Sequence, residues 1–180
     1  MGAINEESNY QLVTVKKGMF VLHGLKDEKT GADDSEFASL EVHGLESFEP
    51  AETDKGEMLV FKFYDVDHLS GELNYFHVWL GERDAIDLMT RLAQLDGVKD
   101  QQMRLRAYYK EGAGRGISVR VPKGDKWELL SADKETRKAL NLPEWLAPKT
   151  KGNKTAFYDS SECYEFLKSL LVQKIVVSFE

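Results

Sequence analysis

Leu73-Asn-Tyr-Phe-His-Val-Trp-Leu-Gly-Glu-Arg-Asp-Ala-Ile-Asp-Leu-Met-Thr-Arg-Leu-Ala-Gln-Leu95 changes its apolar period within two residues. Up to Leu80 the run is aromatic and β-branched, as a strand requires. From Glu82 onward Ala85, Leu88, Leu92 and Leu95 fall at helical spacing, with Ile86, Met89 and Ala93 widening the stripe, and Asp96-Gly97 ends it. A helix is therefore expected over 82–95, directly after a strand.

Working outward, Met58–Tyr64 is a second aromatic run that pairs with 73–80 as a hairpin, its turn near Ser70-Gly71. Residues 11–15 and 19–25 flank Lys16-Lys17-Gly18 as another hairpin, and 37–43 forms a strand. Glu49-Pro-Ala-Glu-Thr-Asp-Lys-Gly56 has no apolar period and is expected to be an acidic loop. Beyond the helix, Gln102–Lys110 and Gly116–Val121 are strands joined by a glycine turn, with a possible further strand at 126–130. A short helix at 133–141 stops at Leu142-Pro143, and a final helix from about Asp159 carries Cys163, Phe166, Leu167, Leu170 and Leu171 on one stripe before a terminal strand ending at Phe179.

This order gives a β-rich α+β protein. A helix between the third and fourth principal strands is the arrangement of the five-stranded Greek-key barrel called the OB-fold, so an OB-like barrel or a strongly curved antiparallel sheet is expected, with helices at the C-terminus. The β-rich domain spans 1–130, and 131–180 packs on it as a helical extension of the same structural unit.

The chain has 180 residues and a net charge of −7, which argues against a polyanionic partner. The average conceals a split. Residues 1–100 carry 9 basic and 21 acidic side chains, net −12, and residues 101–180 carry 15 and 10, net +5. Within 102–126 seven basic residues face two acidic ones.

Strand alternation sorts them. Met103, Leu105, Ala107 and Tyr109 share one face, while Arg104, Arg106, Tyr108 and Lys110 share the other; on the next strand Arg120 points out with Ser118, and Arg115 and Lys123 flank it. Arginines that track a phosphate backbone beside an aromatic ring that stacks a base suit single-stranded nucleic acid, whose bases expose their faces. Tyr108 is the expected stacker. On the preceding hairpin, Tyr75, His77 and Trp79 share a face, and Tyr75 and Trp79 are candidate additional contacts. Lys149, Lys151 and Lys154, followed by Phe157 and Tyr158, form a second basic and aromatic stretch.

The competing reading is a solvated sheet face whose arginines pair with the acidic half of the same chain. Catalytic and metal motifs are not found. Asp65-Val-Asp-His68 departs from the EF-hand template at Leu69, Ser70 and Phe76, and Glu111-Gly-Ala-Gly-Arg-Gly116 has neither the Gly-Lys-Ser/Thr of a P-loop nor a following helix. The single cysteine, Cys163, excludes an intramolecular disulfide and a paired-cysteine zinc site, and no cofactor is expected. With no signal-peptide pattern and no long apolar run, a cytoplasmic, non-membrane protein is expected.

From Leu73 to Leu171, the aromatic strand, Leu-rich helix, Arg-bearing strand, glycine turn, Val-Arg-Val strand, Pro-Glu-Trp segment and Phe-Leu-x-x-Leu helix together resemble small single-stranded-DNA-binding proteins of phages and mobile elements. The resemblance implies an OB-fold, no catalysis, strand protection in DNA replication or recombination, and self-association into an oligomer. By position, Arg104, Arg106, Tyr108 and Arg120 would contact the strand. Many such proteins end in an acidic tail, whereas this chain ends Ile175-Val-Val-Ser-Phe-Glu180, which puts tail-mediated recruitment in doubt. The alternative is an assembly module that pairs acidic and basic faces without nucleic acid.

Overall fold

The computed structural model describes residues 10–23, 35–54, 56–65, 75–111, 114–145 and 159–177. Nine strands form one sheet in the order β3-β2-β1-β6-β5-β4-β7-β8-β9. They are β1 Tyr10–Lys16, β2 Met19–His23, β3 Ser35–Phe37, β4 Ser39–Thr53, β5 Gly56–Asp65, β6 Tyr75–Leu80, β7 Gln102–Lys110, β8 Gly114–Lys123 and β9 Lys126–Leu129. Helix α1 (Glu82–Leu92) lies between β6 and β7, and α2 (Lys134–Ala139) and α3 (Ser161–Val177) follow β9.

The β-rich α+β expectation holds, but the five-stranded Greek-key barrel does not emerge. The sheet is mixed, because β1 runs parallel to β6, with Val13 opposite Val78. The helix follows the sixth strand instead of the third. The physical reason lies in β1 and β2, which extend the β4–β6 meander sideways and bury Val13 and Phe20 in the common core.

Four strands separate β2 from β7 in the sheet, yet the two touch. The sheet therefore curls. The contact is made at the β1–β2 turn, where Lys17 and Gly18 both have positive φ, 47° and 78°. Two such residues match the strand twist of a tight hairpin. A Cβ on Gly18 would lie 3.0 Å from the Tyr109 amide nitrogen, so only glycine lets the turn press on β7 this closely.

Segment 49–53 is not a loop. It continues β4 to Thr53, with Pro50 opposite Leu59 and Glu52 opposite Glu57. β7 pairs only with Ser39–His43, so Pro50 stands where no second neighbour needs its missing N–H. The terminal strand expected near Ile175 is also absent among the described residues: α3 continues to Val177. The turn around Ser70 and the basic stretch 149–158 lie outside the described residues.

One core joins the sheet to the helices. Phe61, Phe63, Met103, Leu105 and Ile117 are fully buried, α1 adds Leu88, Met89 and Leu92, and α3 adds Leu167 and Leu171. Full burial of each such side chain contributes roughly 1.5–3 kcal/mol. No helix among the described residues is long and apolar enough to cross a membrane.

Candidate nucleic-acid interface

Helix α1 sets the geometry. β9 pairs with β8 only from Arg120 to Lys123, leaving Gly114–Val119 with β7 as their only strand neighbour among the described residues. α1 packs against β8 there, and its side chains satisfy the backbone that a strand would have satisfied. Asp87 Oδ2 accepts the Ile117 N–H at 2.9 Å and the Tyr108 hydroxyl at 3.0 Å. Arg91 donates to Asp87 at 3.4 Å and to the Leu130 carbonyl, and Gln94 donates to the Ser131 carbonyl. Gly116 makes this possible, because a Cβ there would sit 2.2 Å from Asp87 Oδ2 and 2.5 Å from the Tyr108 hydroxyl oxygen.

Burial raises the Asp87 carboxyl above its usual value, while Arg91, the Tyr108 hydroxyl and the Ile117 N–H pull it back down. Burial, then the Asp87 charge, raise the Tyr108 phenol. Tyr108 is thus a neutral donor, clamped at one end, with its ring 37% exposed.

The outward row of arginines exists as the alternation predicts, but Tyr109, expected inward with Met103, Leu105 and Ala107, is 47% exposed near the end of β7, where the core no longer covers the strand. Met103, Leu105 and Ala107 are buried between exposed Arg104, Arg106 and Tyr108, and Ile117, Val119 and Val121 are buried on β8. Cross-strand register sets Arg104 opposite Arg120, Arg106 opposite Ser118 and Tyr108 opposite Gly116. Like charges directly opposed destabilise a sheet.

Carboxylates answer only some of these cations. Arg104 meets Glu41 at 3.5 Å, and its guanidinium lies 4.0 Å from the Trp127 ring centroid. Arg115 forms a two-point pair with buried Asp84, at 3.1 and 2.6 Å, and that hydrogen bonding raises its pKa. Lys123 lies 3.7 Å from Glu128, both exposed, a weak pair. Arg106, Arg120 and Lys110 have no ion-pair partner among the described residues.

Arg106 and Arg120 line an open cleft of about 520 Å³ together with Arg91, Tyr108, Tyr109 and, from the β1–β2 turn, Lys17. Among the described residues no Asp or Glu lines it. Lys17 and Arg91 are the contributors that sequence reasoning did not single out. Lys17 reaches β7 only because the sheet curls, and Arg91 carried no signal beyond its place on the polar side of a helical stripe.

Tyr75 and Trp79 lie elsewhere. Their strand, β6, is separated from β7 by β5 and β4. There Lys62 sits 4.2 Å from the Tyr75 ring centroid and 3.2 Å from Glu46, and Tyr64 packs on Tyr75 with centroids 5.3 Å apart. Both residues are half-buried. The expected single aromatic and basic surface is two separate patches. Among the described residues no group of three or more His, Cys, Asp or Glu is placed to hold a metal ion. In comparisons with family models, curated proteins and solved structures, nothing matches this chain.

Proposed function

We propose that the chain is a non-catalytic nucleic-acid-binding protein that holds a single strand, DNA in replication or recombination, along the outward face of β7 and β8. The observation that carries this reading is the cleft lined by Lys17, Arg91, Arg106 and Arg120, with no carboxylate among the described residues that line it. Arginine forks match phosphate oxygens two at a time, and exposed tyrosine rings beside them can stack unpaired bases. Both Tyr108 and Tyr109 line the cleft; Tyr109 is 47% accessible, while the Tyr108 hydroxyl is held by Asp87.

The test is fluorescence anisotropy of a labelled oligothymidylate over a salt series, with a duplex of equal length beside it. Binding tighter than about 10 μM at low salt, a linear fall of log affinity with log salt, and preference for the single strand are the expected results. Absence of binding at low salt overturns the reading.

A second reading has its own observation. Glu52 faces Glu57 across the far end of the β4–β5 hairpin, a like-charge pair of opposite sign to Arg104 and Arg120. Two copies, or a partner of suitable charge, could pair these faces. Light scattering at low and high salt without nucleic acid separates the two readings, because only self-assembly through opposite charges gives a salt-sensitive mass.

A further inference from the structure

We infer that the cleft between the β1–β2 turn and the β7–β8 hairpin is a seat for one phosphate group of the bound strand, with Lys17, Arg106 and Arg120 as its ligands; this rests on the nucleic-acid reading and deepens it. The three cations come from three elements and meet only in the folded protein. Lys17 stands on a turn, Arg106 on β7 and Arg120 on β8. None has an ion-pair partner among the described residues, whereas the neighbouring cations are restrained: Arg91 by Asp87 and the Leu130 carbonyl, Arg104 by Glu41. Among the described residues the carboxylates nearby pair with Arg91 and Arg104 and leave Lys17, Arg106 and Arg120 uncompensated.

Two features of the fold fit an anion here. Arg104 and Arg120 are direct cross-strand neighbours, which costs stability. Lys17 has φ of 47°, a conformation that Asn or Gly adopts more cheaply, so the turn itself does not call for lysine. A phosphate with one or two negative charges and several acceptor oxygens offsets the repulsion and gives the Lys17 charge a partner.

Size narrows the ligand further. About 520 Å³ exceeds what a bare phosphate fills and falls within the range of small-ligand sites, so the seat has room for the sugar that carries the phosphate. Tyr109, which also lines the cleft, offers a ring to the attached base. The phosphate can be an internal phosphodiester or a terminal phosphate, which share this chemistry.

The experiment uses the full chain and the variants Lys17→Asn and Lys17→Arg, with a 3′-labelled oligothymidylate bearing either a 5′-hydroxyl or a 5′-phosphate. Asparagine keeps the left-handed turn while removing the charge. Lys17→Asn is expected to weaken binding roughly fivefold and to lower the salt slope by about 0.7, the share of one phosphate contact on a single strand, with Lys17→Arg restoring both. A 5′-phosphate advantage that disappears in Lys17→Asn assigns the seat to a strand end; an equal loss for both oligonucleotides assigns it to the backbone.

If the wild type binds the strand and Lys17→Asn leaves affinity and slope unchanged, the seat is wrong and the nucleic-acid reading survives. If the wild type binds no oligonucleotide, amide chemical shifts on titration with inorganic pyrophosphate decide the rest. Shifts confined to Lys17, Gly18 and the Arg106 and Arg120 strands keep the anion seat without nucleic acid, and their absence removes it.

Discussion

Two patches on this sheet share one sequence pattern and differ in how their charges are answered. On β4, β5 and β6, Lys62 lies over Tyr75 and beside Glu46, with Tyr64, His77 and Trp79 around it. On β7 and β8, Arg106 and Arg120 line a cleft with Tyr108 and Tyr109, and no carboxylate lines it among the described residues. Each patch alternates polar and apolar residues, and each sets aromatic rings among cations. Only the second has charge to offer a ligand, because a paired cation must first be released from its partner. The position of acidic residues on neighbouring strands, not the basic residues themselves, separates a self-satisfied face from a candidate interface.

The strongest way to break this comparison is to remove charge from each patch. Arg106→Gln with Arg120→Gln is expected to weaken oligonucleotide binding roughly thirty- to a hundredfold near 50 mM salt and to lower the salt slope by about 1.4, two phosphate contacts' worth. Lys62→Gln, which touches only the self-satisfied patch, is expected to change affinity less than about twofold, since its charge is already screened and paired. Equal losses from the two changes, read by anisotropy, would mean that both patches attract the strand alike and do not differ in function.

A smaller effect sharpens how the cationic patch is built. In Gly116→Ala the new Cβ meets Asp87 and Tyr108 and forces the carboxylate away, so the Ile117 N–H loses its acceptor. The expected loss is about 1–3 kcal/mol in urea unfolding, together with weaker strand binding as Tyr108 and Arg91 are released. Gly56→Ala is the control from the acidic hairpin. Gly56 has φ of 109° and open space around its Cβ position, so the change adds backbone strain of about 1 kcal/mol and leaves strand binding alone. If both variants lose stability equally and neither affects binding, Asp87 does not organise the cleft.

What was legible in the sequence follows from how local each signal is. Arg104, Arg106 and Arg120 could be placed on an outward face because strand alternation needs only neighbouring residues, and α1 could be found because its stripe repeats within 11 residues. Lys17 could not be joined to them, because its approach depends on the curl that brings β2 to β7 across four strands. Asp87 looked like any solvent-facing acid of an amphipathic helix, and its role appears only where β9 ends and leaves the β8 edge open. The tail of β4 was hidden for the opposite reason: Pro50, Glu49, Glu52 and Asp54 carry local loop signals that an unpaired sheet edge tolerates. Tyr75 and Trp79 were assigned to the same surface as the arginines because sequence proximity to α1 says nothing of the two strands, β5 and β4, later laid between them.

The finest test asks whether pH separates the patches as charge does. His77 lies directly opposite Lys62 on β5, with Glu46 and Glu49 of β4 nearby. Burial, then the Lys62 charge, lowers its pKa below the ordinary 6.5, and the two glutamates only partly oppose this. A histidine held below its ordinary value stabilises the fold fully above that value, and the contribution is lost as pH falls through the folded pKa, because the unfolded chain takes the proton first. Urea unfolding is therefore expected to show stability declining as pH is lowered from about 7.5 to about 5.5, and His77→Gln should flatten part of that decline. Strand affinity should hold steady over the same window at fixed salt, because no histidine among the described residues lines the cationic cleft. A strand affinity that titrates with the stability, and loses its pH dependence in His77→Gln, would instead place His77 and its aromatic neighbours on the path of the bound strand, and would join the two patches that the charge pairing divides.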